Sequence, residues 1–274
     1  VIFIIFLLKK LFFAVLLTKK QSNAQIIPPK YINFVPMNGK DSMLTGITTV
    51  FIDIDDTLWW FTENSKVAFR HTYDVMNVSE IEPCYERFHD IYLEENSRLW
   101  DLYHHGKIEK DFLVSERFRF VLDAVGYKGD CLALAEKLNE EYLSHLATLP
   151  LIVPGSLDLV KRLTAQGYEV NTLSNGFKGV QHRKLESGGL LQYITHVVLS
   201  DDCGITKPMR GIFDYALQVT GAEASKCVMI GDNPEADIKG AHDAGWRTIY
   251  FNLKNKPAIE GTADYEVASL DEIM

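Results

Sequence analysis

The chain's 274 residues, 47% apolar and 24% charged, are enough for one α/β core and a smaller inserted unit, and this mix excludes a disordered or fibrous protein. Acidic residues outnumber basic ones 37 to 28, a net charge of −9. Residues 1 to 42 hold six Lys and one Asp, so the remainder sets 22 basic against 36 acidic residues, or −14, which disfavours nucleic acid as a partner.

Residues 1 to 20 run VIFIIFLL, Lys9 and Lys10, LFFAVLL, then Lys19 and Lys20. Neither apolar run approaches the ~20 residues that span a bilayer, so no stable membrane association is expected. Two readings of this leader stay open. It can be a signal peptide, with Lys9 and Lys10 as its basic region, Leu11 to Leu17 as its apolar core and Ser22-Asn23-Ala24 at the cleavage site. Two further lysines before that site speak against it. The preferred reading treats residues 1–42 as upstream sequence outside the fold, because Met37 and Met43 stand just before the first strand pattern. The four cysteines, Cys84, Cys131, Cys203 and Cys227, form no CxxC pair and read as free thiols. A cytoplasmic enzyme is therefore expected, or an exported one if residues 1–24 act as a signal.

From Thr48 onward, apolar β-branched runs alternate with helical patterns: TTVFIDI, YEVNTLSN, ITHVVLS, KCVMIGD and RTIYFN. Strands alternating with helices predict an α/β fold with a doubly wound, Rossmann-like parallel sheet, and runs apolar on both faces predict central strands. Ser156 is a candidate helix cap ahead of Leu157, Val160 and Leu163, and Pro208 a candidate opening for a helix burying Ile212, Phe213, Ala216 and Leu217. Between the first two strands no β-rich run appears, and Tyr85, Phe88, Tyr92, Leu132, Ala135, Leu138 and Tyr142 follow helical spacing. Residues 63–149 are thus expected to form an all-helical cap domain inserted into a discontinuous core of 43–62 plus 150–274.

In doubly wound sheets ligands bind beyond the carboxyl ends of the strands, so the residues closing each run matter most. The first run ends in Asp53-Ile54-Asp55, the second in Ser174-Asn175-Gly176, the fourth in Gly231-Asp232 followed by Asp237, and Lys207 precedes Pro208 after the third. Each alone is compatible with an ordinary acidic turn, a solvated lysine or a decorated helix start. Together they describe one site. Carboxylates within about 4 Å of one another repel by roughly 4 kcal/mol per pair at an effective dielectric of 20, so Asp53, Asp55 and Asp232 call for a hard cation, and an all-oxygen set suits Mg²⁺. A phosphoryl group between the metal and Lys207 with Ser174 completes the charge balance.

In that order, DIDDT, LSN, the lysine of KP and GDNPEAD resemble the motifs of the haloacid dehalogenase superfamily. The resemblance runs from Val50 to the C-terminus, with the insertion where one large branch carries a helical cap. It implies that Asp53 attacks phosphorus to form an aspartyl-phosphate, and that Asp55 protonates the leaving group and then activates water. It also makes Asp53, the backbone carbonyl of Asp55 and Asp232 the metal ligands, Ser174, Asn175 and Lys207 the phosphate binders, and Asp237 a supporting acid. A carboxylate at Asp55 argues against carbon–halogen cleavage, whose leaving halide needs no proton. NGFKGVQHRKLESGGL, SDDCGITKPMRGIFDYAL and IGDNPEADIKGAHDAGW further resemble the branch that hydrolyses pyrimidine and non-standard nucleoside monophosphates.

Trp59, Trp60 and Phe61 just before the insertion and Trp100 within it are candidates for an apolar wall around a base or sugar, or else simply join cap to core. No set of base-reading hydrogen bonds can be picked out. His104 and His105, about 100° apart on a helix, read as cap-surface residues. A hinged helical lid predicts activity on small phosphomonoesters and none on folded phosphoproteins, by a monomer or homodimer. The alternatives are a phosphoglycolate or sugar-phosphate phosphatase, a phosphoacceptor signalling domain, and an inactive binding relative. Chain order argues against the second, and the presence of Asp53, Asp55, Lys207 and Asp232 against the third.

Overall fold

In the computed structural model, which describes residues 42–273, β1 (Thr49–Ile52), β2 (Glu169–Ser174), β3 (Val197–Leu199), β4 (Cys227–Gly231), β5 (Arg247–Phe251) and β6 (Tyr265–Val267) form one sheet in the order β3-β2-β1-β4-β5-β6. All neighbours are parallel. The sixth strand was not among the sequence patterns, because three residues with an exposed centre, Tyr265-Glu266-Val267, carry too little apolar signal. The leader reading lies outside the described residues, and among them no helix is long and apolar enough to cross a membrane.

Each central strand is buried on both faces. Val50, Ile52, Val170, Val228 and Ile230 belong to one apolar cluster, while Phe51, Leu173, Cys227 and Met229 belong to the other, with Ile212, Phe213 and Trp246. The register sets Val50 beside Val170 and Val228, so alternate side chains fall on opposite layers, as a period of two requires.

Four helices of the insertion follow β1: α1 (Phe61–Val75), α2 (Tyr85–His104), α3 (Lys110–Ala124) and α4 (Cys131–Leu146). Their shared interior is aromatic, with Tyr92 ring centroids 4.6 Å from Phe69 and 4.9 Å from Phe118. Fully burying rings of this size contributes about 1.5–3 kcal/mol each, which is what holds four amphipathic helices together. Leu132 departs from the expected pattern: it is 48% exposed, one turn too early on α4 to reach this interior. The two chain crossings lie side by side, because the buried Asn64 side chain donates to the Leu151 carbonyl at 2.7 Å and accepts its N–H at 3.3 Å.

The remaining helices are α5 (Ser156–Ala165), α6 (Lys178–Ser187), the single turn α7 (Ser200–Cys203), α8 (Arg210–Thr220), and a π-helical turn, Pro234–Lys239, that runs into α9 (Gly240–Asp243). Ser156 does not cap α5. Gly155, at φ 87°, is the residue before the helix, and the Ser156 hydroxyl turns to the Thr57 carbonyl at 3.5 Å. Pro208 lies before α8 rather than within it, with Met209 as the flanking residue.

Candidate active site

The strand order switches direction about β1: the chain passes to β2 and β3 on one side, then crosses to β4 and β5 on the other. Such a switch opens a crevice beyond the carboxyl ends of the strands. Asp53 and Asp232 follow the two strands that flank it, and both line a cavity of about 320 Å³ between the sheet and the helical insertion.

Lys207 is the hub. Its Nζ, on a residue 2% exposed, donates to Asp53 Oδ1 and Asp237 Oδ1 at 2.6 Å each and to the Leu173 carbonyl at 2.7 Å. Burial opposes its charge, but Asp237 and Asp53 more than offset this and raise its pKa. Its backbone is clamped by Asn175, whose Oδ1 accepts the Lys207 N–H at 2.7 Å and whose Nδ2 donates to the Lys207 carbonyl at 2.9 Å. The Asn175 side chain is therefore committed to orienting the lysine, and any contact with a phosphate would come from its backbone.

Asp53, Asp232 and Asp237 each offer an oxygen within 4.8 Å of the others. Burial raises the Asp53 pKa well above the ordinary value, Lys207 opposes, and Asp237, Asp232 and Asp55 add to the rise. Burial, then Asp237 and Asp56, push Asp232 up to about 7. Three carboxylates against one lysine leave a net negative, all-oxygen pocket, the donor set that fits a hard divalent cation. Asp237 is 1% exposed and is not free to decorate a helix: its Oδ2 accepts the Asn233 N–H at 3.0 Å. A Cβ on Gly231 would stand 2.3 Å from that Oδ2, so this close approach requires glycine.

The Asp55 side chain is held apart from this cluster. Its Oδ1 accepts from Lys184 Nζ at 2.7 Å and its Oδ2 from Gln181 Nε2 at 2.9 Å; the same Gln181 nitrogen reaches Ser174 Oγ at 2.7 Å. Gln181 and Lys184 stand three apart on α6, hence on one face. Lys184, 4% exposed, lies over the rings of Trp59 at 4.8 Å and Phe61 at 5.2 Å. Sequence reasoning passed over both residues, since polar positions on a charged helix read as solvated. Asp56, at φ 61°, ties the start of the insertion to the core by accepting the Thr62 N–H at 2.8 Å and Lys254 Nζ at 2.6 Å.

Of the expected aromatic wall, Phe61 and Trp100 line the cavity and Trp59 and Trp60 do not. Trp59 is fully buried with its indole N–H on the Leu149 carbonyl at 3.0 Å, so it joins insertion to core. Trp100 stacks on Phe177 at 5.6 Å. His104 is also a correction: it faces the cavity rather than the surface, and burial, helped by Lys207, pushes its pKa down to about 4, so it is a neutral wall at ordinary pH. His105 is exposed.

The sequence model of the haloacid dehalogenase-like hydrolases matches residues 47–245. A HAD-hydrolase of Bacillus subtilis, YfnB, is 30% identical over 82% of this chain and 93% of its own. The pyrimidine 5'-nucleotidase YjjG of Escherichia coli is 31% identical over 82% of this chain and 95% of its own. The crystal structure of YfnB, determined with magnesium bound, superposes with a TM-score of 0.73 at 28% identity, covering 82% of this chain and 96% of that one. The chain belongs to the haloacid dehalogenase-like hydrolase family.

Proposed function

We propose that this chain is a Mg²⁺-dependent phosphomonoesterase that works through Asp53 and acts on pyrimidine or non-standard nucleoside monophosphates. The observation that carries the chemistry is the placement of Asp53 at the cavity floor, 7% exposed, with Oδ1 engaged by Lys207. Among the described residues its Oδ2 makes no hydrogen bond, which suits it to attack. The nucleotide assignment is supported by the names of the relatives, a pyrimidine 5'-nucleotidase among them, and by the aromatic cavity walls.

Asp53, Asp232 and the backbone of Asp55 would hold Mg²⁺, with Asp237 nearby. When bound, the ion supplies positive charge that neutralises the carboxylates and the phosphoryl oxygens. In the first step an Asp53 oxygen attacks phosphorus, the ester P–O bond breaks, and Asp55 gives its proton to the leaving oxygen. In the second, water attacks phosphorus, Asp55 takes the water's proton, and the bond to Asp53 breaks. Lys207 and Ser174 bind the phosphoryl oxygens. Gln181 and Lys184 hold Asp55 in place between turnovers. Residues 63–149 serve as the cap, closing the cavity over small substrates and excluding folded phosphoproteins. The free thiols fit a reducing compartment.

The test is phosphate release from uridine, thymidine and purine monophosphates, phosphoglycolate and sugar phosphates, with Mg²⁺ and with EDTA. Mg²⁺-dependent release favouring the pyrimidine nucleotides supports the whole reading. Preference for sugar phosphates or phosphoglycolate keeps the chemistry and refutes the substrate class; no release from any ester refutes both.

A further inference from the structure

The cavity has two differently built ends. The sheet side contributes the carboxylates and Lys207, whereas the insertion contributes Arg117 and Asn96 among apolar residues. Arg117 is 3% exposed, yet its partner is a neutral amide. Its Nε donates to Asn139 Oδ1 at 2.7 Å and one terminal N–H shares that same oxygen, while the guanidinium lies 5.6 Å over the Tyr142 ring. Among the described residues no carboxylate pairs with it.

A buried guanidinium without a carboxylate is a costly arrangement, since removing a charge from water is offset only by good partners. Of its five N–H donors, two point at Asn139 and the Tyr92 hydroxyl faces another, which leaves the guanidinium with neutral partners and with donors to spare. Asn139 fixes the Nε edge and the Tyr142 face fixes the plane, and Arg117 so held lines the cavity. On α2, the Asn96 Oδ1 atom is buried and makes no hydrogen bond, and Asn96 lines the same cavity. The insertion thus presents a cationic donor without a carboxylate partner and an unpartnered acceptor to the same cavity that Asp53, Lys207 and Asp232 line from the sheet side.

We propose that Arg117 and Asn96 read the leaving group, selecting a flat heterocycle whose edge carries a carbonyl beside an N–H, as in uracil and thymine. Arg117 donates to the ring carbonyl, Asn96 accepts from the ring N–H, and Phe61 and Trp100 cover the faces. A substrate carboxylate would satisfy Arg117 alone and set its oxygens against the Asn96 acceptor, so the paired donor and acceptor favour the imide edge. A pair of this kind discriminates strongly, because an analogue lacking it leaves both buried groups unpaired.

This deepens the nucleotidase reading and rests on it, so the test separates the two. The kcat/KM ratio of uridine monophosphate to ribose 5-phosphate, which keeps sugar and phosphate but lacks the base, is measured for the wild type, Arg117→Met, Arg117→Lys and Asn96→Leu. Calorimetric binding of uridine itself runs in parallel. The ratio is expected to fall about 10- to 100-fold in Arg117→Met, the range for a lost hydrogen bond to a charged group, to recover partly in Arg117→Lys, and to fall in Asn96→Leu. Uridine binding is expected to weaken in step. Equal loss for both esters, or no loss for either, overturns the assignment, as does a selective loss for phosphoglycolate. Asn96 is half-buried, so its variant keeps the test open if Arg117→Met does not fold. A wild type that hydrolyses nothing but binds uridine through Arg117 would refute the catalytic reading and spare this one; absence of both activity and binding would sink both.

Discussion

Replacing Lys207 by Met keeps the length of the side chain and removes the charge on which two buried carboxylates depend. The ammonium bonds Asp53 and Asp237 at 2.6 Å each, and Asp237 is 1% exposed, so water cannot take the lysine's place. Breaking a buried pair from one side costs about 3–5 kcal/mol. At ~2–4 °C per kcal/mol for a domain of this size, the melting temperature in EDTA should drop by about 6–20 °C. The sign with pH follows from the Asp53 carboxyl, whose pKa in the folded protein already lies above the ordinary value and must rise further once the lysine is gone. A carboxyl raised in the folded state binds protons that the unfolded chain has released, so the deficit is greatest near pH 8 and shrinks towards about pH 5. Thermal unfolding of wild type and variant across that range is the assay. A loss under about 2 °C at every pH would show that the lysine does not neutralise this cluster and would refute the reasoning.

Gly231→Ala should force Asp237 off Lys207, because the new methyl would meet the Asp237 carboxylate at 2.3 Å; overpacking of about 1–3 kcal/mol and a weakened Mg²⁺ response are expected in thermal unfolding, and unchanged values would contradict this. Asp55→Asn should lower kcat by about 10²–10⁴ on a nucleotide and by less on an aryl phosphate, whose leaving group needs no proton; equal losses would remove Asp55 from the proton transfer. In EDTA, Asp232, with its pKa near 7, should make stability fall as pH rises from about 4 to about 7. Mg²⁺ competes with those protons, so the melting shift it produces should grow over the same interval, and a pH-independent shift would argue that Asp232 is not a ligand.

The sheet and the strand-end residues were legible because burial on both faces writes a strand as an unbroken apolar run, and because the residue ending each run has few places to go. Asp53, Ser174 and Asp232 could be read that way, and Lys207 and Asp237 from their place after a strand in the order of the motifs. Gln181 and Lys184 could not, since their value lies in facing Asp55 across the fold, and along α6 they look like two more polar residues on a charged helix. Spacing at i and i+3 was the one available signal. Arg117, Asn96 and His104 depend on how four helices pack, which no periodicity encodes. Trp59 and Trp60 stayed open between two readings for a related reason: adjacent aromatics at a crossing suit a wall or a joint between cap and core equally, and the buried Trp59 indole N–H on Leu149 decides for the joint at that residue.

The most direct test of the central claim is phosphate release from uridine monophosphate at saturating Mg²⁺ by the wild type and by Asp53→Asn, with thermal unfolding to show that both are folded. The account predicts turnover by the first and background release by the second. An Asp53→Asn protein that turns over at a rate near the wild type's would contradict nucleophilic attack by Asp53 and with it the proposed mechanism.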